Sequence, residues 1–210
     1  YATVSVGFCL QSRNPGPKGD DLLNAAECAA RVALRHGPGG VRSFTTEIER
    51  ASADNAALLA EVAAALEAGQ IIGHFQPQIS THTGVLSGFE VLARWNHPTR
   101  GILAPVDFLE AVMAGGHATR LTEVMLYEAL TALRRWDAAR LEVPCVAVNF
   151  SRQDLSDPGL AEKIKWELDR FEIAPGRLCI EILESVAAET DGDVIIRNVA
   201  ALSRLGCRID

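Results

Sequence analysis

Leu178-Cys179-Ile180-Glu181-Ile182-Leu183-Glu184-Ser185 is a short apolar run with a carboxylate set inside it. Such a run reads as a strand, on which Glu181 shares a face with Cys179 and Leu183. An ionised carboxylate there is costly unless it is paired or metal-bound. Glu181 therefore belongs either to a structural ion pair or to a site. Glu184, at the strand's end, reads from the sequence alone as a helix-start or loop residue.

The same pattern repeats outward from this run. Strands are predicted at Ile71 to Ile79, Leu86 to Trp95, Val143 to Phe150 and Leu178 to Leu183, with a further start at Gly206 to Asp210. Helical spacing covers Val106 to Ala114, Leu121 to Ala139, Leu160 to Phe171 and Val194 to Leu205. Repeated strand-then-helix units imply parallel strands, because each crossover needs a helix. The class is α/β, and polar residues near the strands' C-terminal ends suit a TIM-type barrel, where chemistry is built at those ends. Four strands and the start of a fifth cannot close a barrel, so an incomplete one with an unpaired apolar edge is expected. Upstream, Ala2 to Leu10 reads as a strand and Leu22 to Arg35 as a helix capped by Asp20 or Asp21. Val41 to Phe44 reads as a short strand, and Glu47 to Gly69 as a helix whose first part links two domains. Tyr1 rather than Met opens the sequence, which reads as a piece of a longer chain.

Composition narrows the classes. Of 210 residues, 48% are apolar and 22% charged, the balance of a globular protein rather than a disordered one. A net charge of −7 argues against a DNA- or RNA-polymer binder, which needs clustered Lys and Arg to neutralise phosphates. It leaves room for a small anionic ligand. No apolar run approaches a membrane span, and nothing resembles a signal peptide. The five cysteines (Cys9, Cys28, Cys145, Cys179, Cys207) are widely spaced and read as reduced, mostly buried small hydrophobes in a cytoplasmic protein. His74, His82, His97 and His117 lack ligand spacing and take a structural reading. Trp136 and Trp166 read as helix residues packed on the sheet.

Two further stretches carry chemistry. In Gly88-Phe89-Glu90-Val91-Leu92-Ala93-Arg94-Trp95 the two-residue period puts Glu90, Leu92 and Arg94 on one face, flanked by two aromatics. A hard carboxylate oxygen suits Mg²⁺ and a guanidinium fork suits phosphate. A Glu–Arg pair on a solvated strand face is the plain alternative. In Val146-Ala147-Val148-Asn149-Phe150-Ser151, Asn149 ends an apolar strand on the face of Cys145 and Ala147. It either offers an amide oxygen to a cation or starts a turn that caps the next helix. Three strand-end oxygen donors meeting at one mouth suit a two-metal phosphodiester hydrolysis.

At this point the residues resemble a known family. Phe75-Gln76-Pro77, the Gly88 to Trp95 run, His97-Pro98, Gly101 and Pro105 with Phe108 are similar to the opening of EAL domains. Val148-Asn149-Phe150-Ser151 and Ile180-Glu181-Ile182-Leu183-Glu184-Ser185 are similar to the next two signatures, in the same order, over roughly Asn55 to Asp210. The signature triplet is Glu90-Val91-Leu92, whose altered middle residue points away from the ligand face. The resemblance implies cyclic di-GMP as ligand and its hydrolysis to the linear dinucleotide. It implies Glu90, Asn149 and Glu181 as ligands of Mg²⁺ or Mn²⁺, with Arg94 on a phosphate and Gln76 and Leu92 on the nucleotide. Glu184 matches a loop-stabilising glutamate. The family's Asp-Asp-Phe-Gly motif, its catalytic Lys and further ligands fall beyond Asp210, which precedes that pair. Ala111 to Leu121 matches loosely, which puts helix geometry there in question.

Ala2 to Phe44 resembles the tail of a GGDEF domain, with Glu27 and Leu34 departing from the pattern. The expected organisation is residues 1–46 as the remnant of a degenerate GGDEF domain, 47–56 as a linker helix and 57–210 as the first part of the EAL domain. The expected parent is a cyclic di-GMP phosphodiesterase, possible as a homodimer, of which this stretch alone would be inactive. The rival from another class is a catalytically dead cyclic di-GMP receptor, and a scaffold is disfavoured by the retained site residues.

Overall fold

Small residues at helical spacing decide the first element pair. The computed structural model describes residues 3–10, 19–35, 39–182 and 193–210. They form two compact units, divided between Ala60 and Glu61. In the first, strand β1 (Val6–Phe8) pairs in parallel with β2 (Val41–Ser43), and helix α1 (Gly19–Arg35) crosses between them. Ala25, Ala29 and Ala33 form the buried stripe of α1. Gly7 lies so close to the α1 backbone that a Cβ there would collide with Ala26 and Ala30. Helix α2 (Thr46–Glu67) runs from this unit into the next.

The second unit is built on a mixed sheet. Its strands are β3 (Ile71–Ile79), β4 (Leu86–His97), β5 (Gly101–Leu103), β6 (Val146–Phe150), β7 (Leu178–Ile182) and β8 (Arg208–Ile209). Their order is β3-β4-β6-β7-β8, with β5 on β4. β4, β6, β7 and β8 run parallel, as the crossover argument requires. β3 does not: it is antiparallel to β4, with Gln76 opposite Glu90 and Ile72 opposite Arg94. The connection at residues 80–85 is too short for a crossover helix, so the two strands can only fold back on each other. The hairpin partner β5 and a single-turn helix, α5 (Arg152–Leu155), are further elements that periodicity did not signal, being too short for either pattern to repeat.

Helices α3 (Pro105–Ala114), α4 (Ala118–Ala138), α6 (Leu160–Phe171) and α7 (Asp193–Leu205) supply the apolar cover. The break between α3 and α4 falls at Gly115-Gly116-His117, inside the loosely matching stretch. Val91, Ala93 and Trp95 of β4 are buried on the helix side, with Val146, Val148 and Phe150 of β6 and Leu178 and Ile180 of β7. Trp136 packs there as expected, its ring 5.1 Å from both Phe75 and Phe89. Trp166 does not: it is 59% exposed, with the Arg170 guanidinium 5.0 Å over its ring.

Ser151 caps α5, and Asp154 closes the capping box. The Asp154 carboxylate is buried and accepts from Ser151 N, Ser151 Oγ and Thr122 Oγ1 at 2.8, 2.6 and 2.8 Å. Asp154→Ala leaves those donors unmatched and should cost about 2–3 kcal/mol, read as a lowered denaturation midpoint.

Candidate functional site

The open face of the sheet gathers the polar strand residues. Glu90, Leu92 and Arg94 alternate with the buried side of β4 and are half-exposed, as the two-residue period requires. Phe89 and Trp95 do not flank them: both side chains lie on the helix side, Phe89 against Trp136 and Trp95 fully buried. Val91 is also on that side, 2% exposed, so the altered triplet residue stays clear of the ligand face. Gln76 is exposed and stands opposite Glu90 in the β3–β4 ladder.

Asn149 and Glu181 are direct partners in the β6–β7 ladder, and Asn149 Nδ2 donates to Glu90 Oε1 at 2.8 Å. Ser151, not Asn149, caps the following helix, which frees the Asn149 amide for the open face. Burial pushes the Glu181 carboxyl above its ordinary value, and the negative Glu90 beside it pushes it further. The three side chains from successive strands thus form one cluster. Glu184 lies outside the described residues.

Of the cluster's neighbours, Gln78 and Arg208 were not singled out from the sequence. Gln78 donates Nε2 to Glu181 Oε1 at 3.2 Å, reaching across from a β-bulge where Ser87 Oγ donates to the Gln78 carbonyl at 2.9 Å. The signal available was the two-residue period that puts it on the face of Gln76. Below the cluster, Cys179 Sγ donates to Asp210 Oδ2 at 3.1 Å and Arg208 Nη1 to Cys145 Sγ at 3.3 Å. Burial raises both thiols' pKa values, which makes them packing groups rather than nucleophiles. Gly88 is required here, since a Cβ would sit 2.7 Å from the Cys145 carbonyl oxygen and sulfur.

Among the described residues no group of three or more His, Cys, Asp and Glu is placed to hold a metal. The cluster instead offers two carboxylates and a carboxamide, all hard oxygen donors of the kind Mg²⁺ and Mn²⁺ take. Two carboxylates crowded together, with Glu181 drawn toward protonation, are the arrangement a divalent cation relieves. A groove of about 1040 Å³ lies elsewhere, among Tyr127, Phe150, Ile164 and Trp166, and none of the cluster residues lines it.

The chain belongs to the EAL domain family, whose model matches residues 59–210. It is 28% identical over 210 residues to the bifunctional diguanylate cyclase/cyclic di-GMP phosphodiesterase MucR of Pseudomonas aeruginosa, covering 99% of this chain and 30% of that protein. It is 28% identical to the cyclic di-GMP phosphodiesterase PdeR of Escherichia coli, covering 100% of this chain and 31% of that protein. The chain thus spans about three-tenths of these relatives' length. A solved structure described as the PaMucR phosphodiesterase in complex with c-di-GMP matches with 31% identity and a TM-score of 0.67, covering 73% of this chain and 62% of that one. No described helix is long and apolar enough to cross a membrane.

Proposed function

We propose that this chain carries the ligand-holding part of a cyclic di-GMP site, and that the protein it belongs to hydrolyses cyclic di-GMP to the linear dinucleotide. The carrying observation is the contact cluster of Glu90, Asn149 and Glu181 on three adjacent strands. These residues hold Mg²⁺ or Mn²⁺, which supplies activation of water and neutralisation of charge at the phosphodiester. Asn149 orients Glu90 through its amide N–H, and Gln78 orients Glu181. Arg94, on the same face as Glu90, binds a phosphate, while Gln76 and Leu92 border the nucleotide. Glu184 is assigned the loop-stabilising role that the family resemblance implies.

The sheet is the first part of a TIM-type barrel. Residues 1–46 are the remnant of a degenerate GGDEF domain, and the parallel β1–β2 pair with its crossover helix suits that reading. Residues 47–56 link it to the EAL portion at 57–210, along the continuous helix α2. The setting is cytoplasmic, and no DNA or RNA polymer is a partner.

The full-length protein should release linear dinucleotide from cyclic di-GMP with Mg²⁺, stop on addition of EDTA, and recover on Mg²⁺ or Mn²⁺ addition. Tight binding of cyclic di-GMP without release under all three conditions would favour a receptor over an enzyme.

A further inference from the structure

Arg94 does not stand on the parallel part of the sheet. The β4–β6 ladder covers Phe89 and Glu90, opposite Val146 and Ala147. Beyond it, residues 91–95 pair with β3 and residues 95–97 with β5, so Arg94 rides on a narrow antiparallel ribbon. A two-stranded ribbon twists more than a wider sheet, so its angle depends on what holds its buried side, where Val91, Ala93 and Trp95 pack.

What lies behind it is Gln70, the last residue of the short connection between α2 and β3. Its side-chain Oε1 accepts from the indole N–H of Trp95 at 3.1 Å, and its carbonyl accepts from Asn96 N at 2.8 Å. One residue therefore holds the two positions that follow Arg94, one through a side chain and one through the main chain. Trp95 is fully buried, with its ring edge-on to Phe108 of α3 at 5.7 Å, so its N–H has no water to turn to. His97 completes the clasp. Its Nδ1 accepts from the N–H groups of Thr99 and Arg100, both at 3.3 Å, which places the ring proton on Nε2. That nitrogen is buried and lies 3.0 Å from Glu61 Oε2 on α2, short of good hydrogen-bond alignment. Gln70 thus supplies the bonds to Trp95 and Asn96, and the Glu61 carboxylate a looser contact at His97.

We infer that Gln70 is a positioning residue for Arg94, setting the angle at which its guanidinium meets a phosphate of the ligand. The inference rests on the reading of Arg94 as a phosphate-binding residue. Loss of the clasp lets the ribbon turn, which moves the guanidinium while leaving the metal cluster on the parallel strands in place.

The test is equilibrium binding of cyclic di-GMP to the full-length protein in EDTA, by calorimetry. Gln70→Leu should raise Kd about fivefold, since small displacements of a binding group are costly. Gln70→Glu keeps an oxygen acceptor for the indole and should stay within about twofold of the parent. Arg94→Ala should weaken binding more than Gln70→Leu does, and adding Gln70→Leu to it should change nothing further, because the two act through one contact. Wild-type binding by Gln70→Leu, or a full additional loss in the double variant, overturns the inference. Wild-type binding by Arg94→Ala overturns instead the reading on which it rests. Should Gln70→Leu fail to fold, Trp95→Phe removes the indole N–H together with part of the ring, and wild-type binding by that variant overturns the inference equally.

Discussion

Glu90→Ala is expected to abolish release of the linear dinucleotide while the protein stays folded. Glu90 is half-exposed on the open face, so little apolar burial is lost with it. The carboxylate itself has two functions in the proposed site. It is one of two anionic oxygen donors to the cation, and it accepts the Asn149 amide N–H that fixes the neighbouring donor. Stabilisation of phosphodiester charge by a metal is worth several kcal/mol, which converts to a loss of about a thousandfold or more. The measurement is product release with Mg²⁺ beside a melting curve, and Glu90→Gln should be similarly inactive because an amide cannot replace the charge. Turnover near the parent's rate in a folded Glu90→Ala protein would remove Glu90 from the ligand set.

The second large effect falls on stability. Trp95→Ala empties a fully buried site between Phe108, His97 and the Gln70 amide and should cost about 3–5 kcal/mol. That is a large share of the stability of an ordinary domain, so aggregation or loss of the unfolding transition is expected. Denaturant titration of the variant beside Trp95→Phe checks this. Phe keeps most of the ring in place, and an Ala variant as stable as the Phe one would show that the ring is not held there.

Much of the fold was legible because the strands and helices carry strong periodicity. The β3 run at Ile71 to Ile79 and the α6 run at Leu160 to Phe171 appear with the boundaries expected from sequence. The antiparallel sense of β3 breaks the strand-then-helix rhythm of the other strands, and only the short 80–85 connection, which forbids a crossover, signals it. Aromatic placement was misjudged at Phe89 and Trp95, where the same alternation that brings Glu90 and Arg94 together carries their neighbours to the other side. Trp166 was misjudged because helical spacing marks a face without saying whether another element covers it.

For the site, residue type and order were enough to propose Glu90, Asn149, Glu181 and Arg94 as a set, since each is a polar residue set within a largely apolar strand. Sequence by itself also determined the family, through motifs in a fixed order, and the face on which each strand residue lies, through a two-residue period set by backbone geometry. Tertiary structure alone decided which faces meet. Whether Asn149 caps a helix or touches Glu90, whether Gln78 reaches Glu181, and whether Gln70 stands behind Arg94 all depend on strand register. Register is settled by packing between residues far apart in the chain, and no local pattern encodes it.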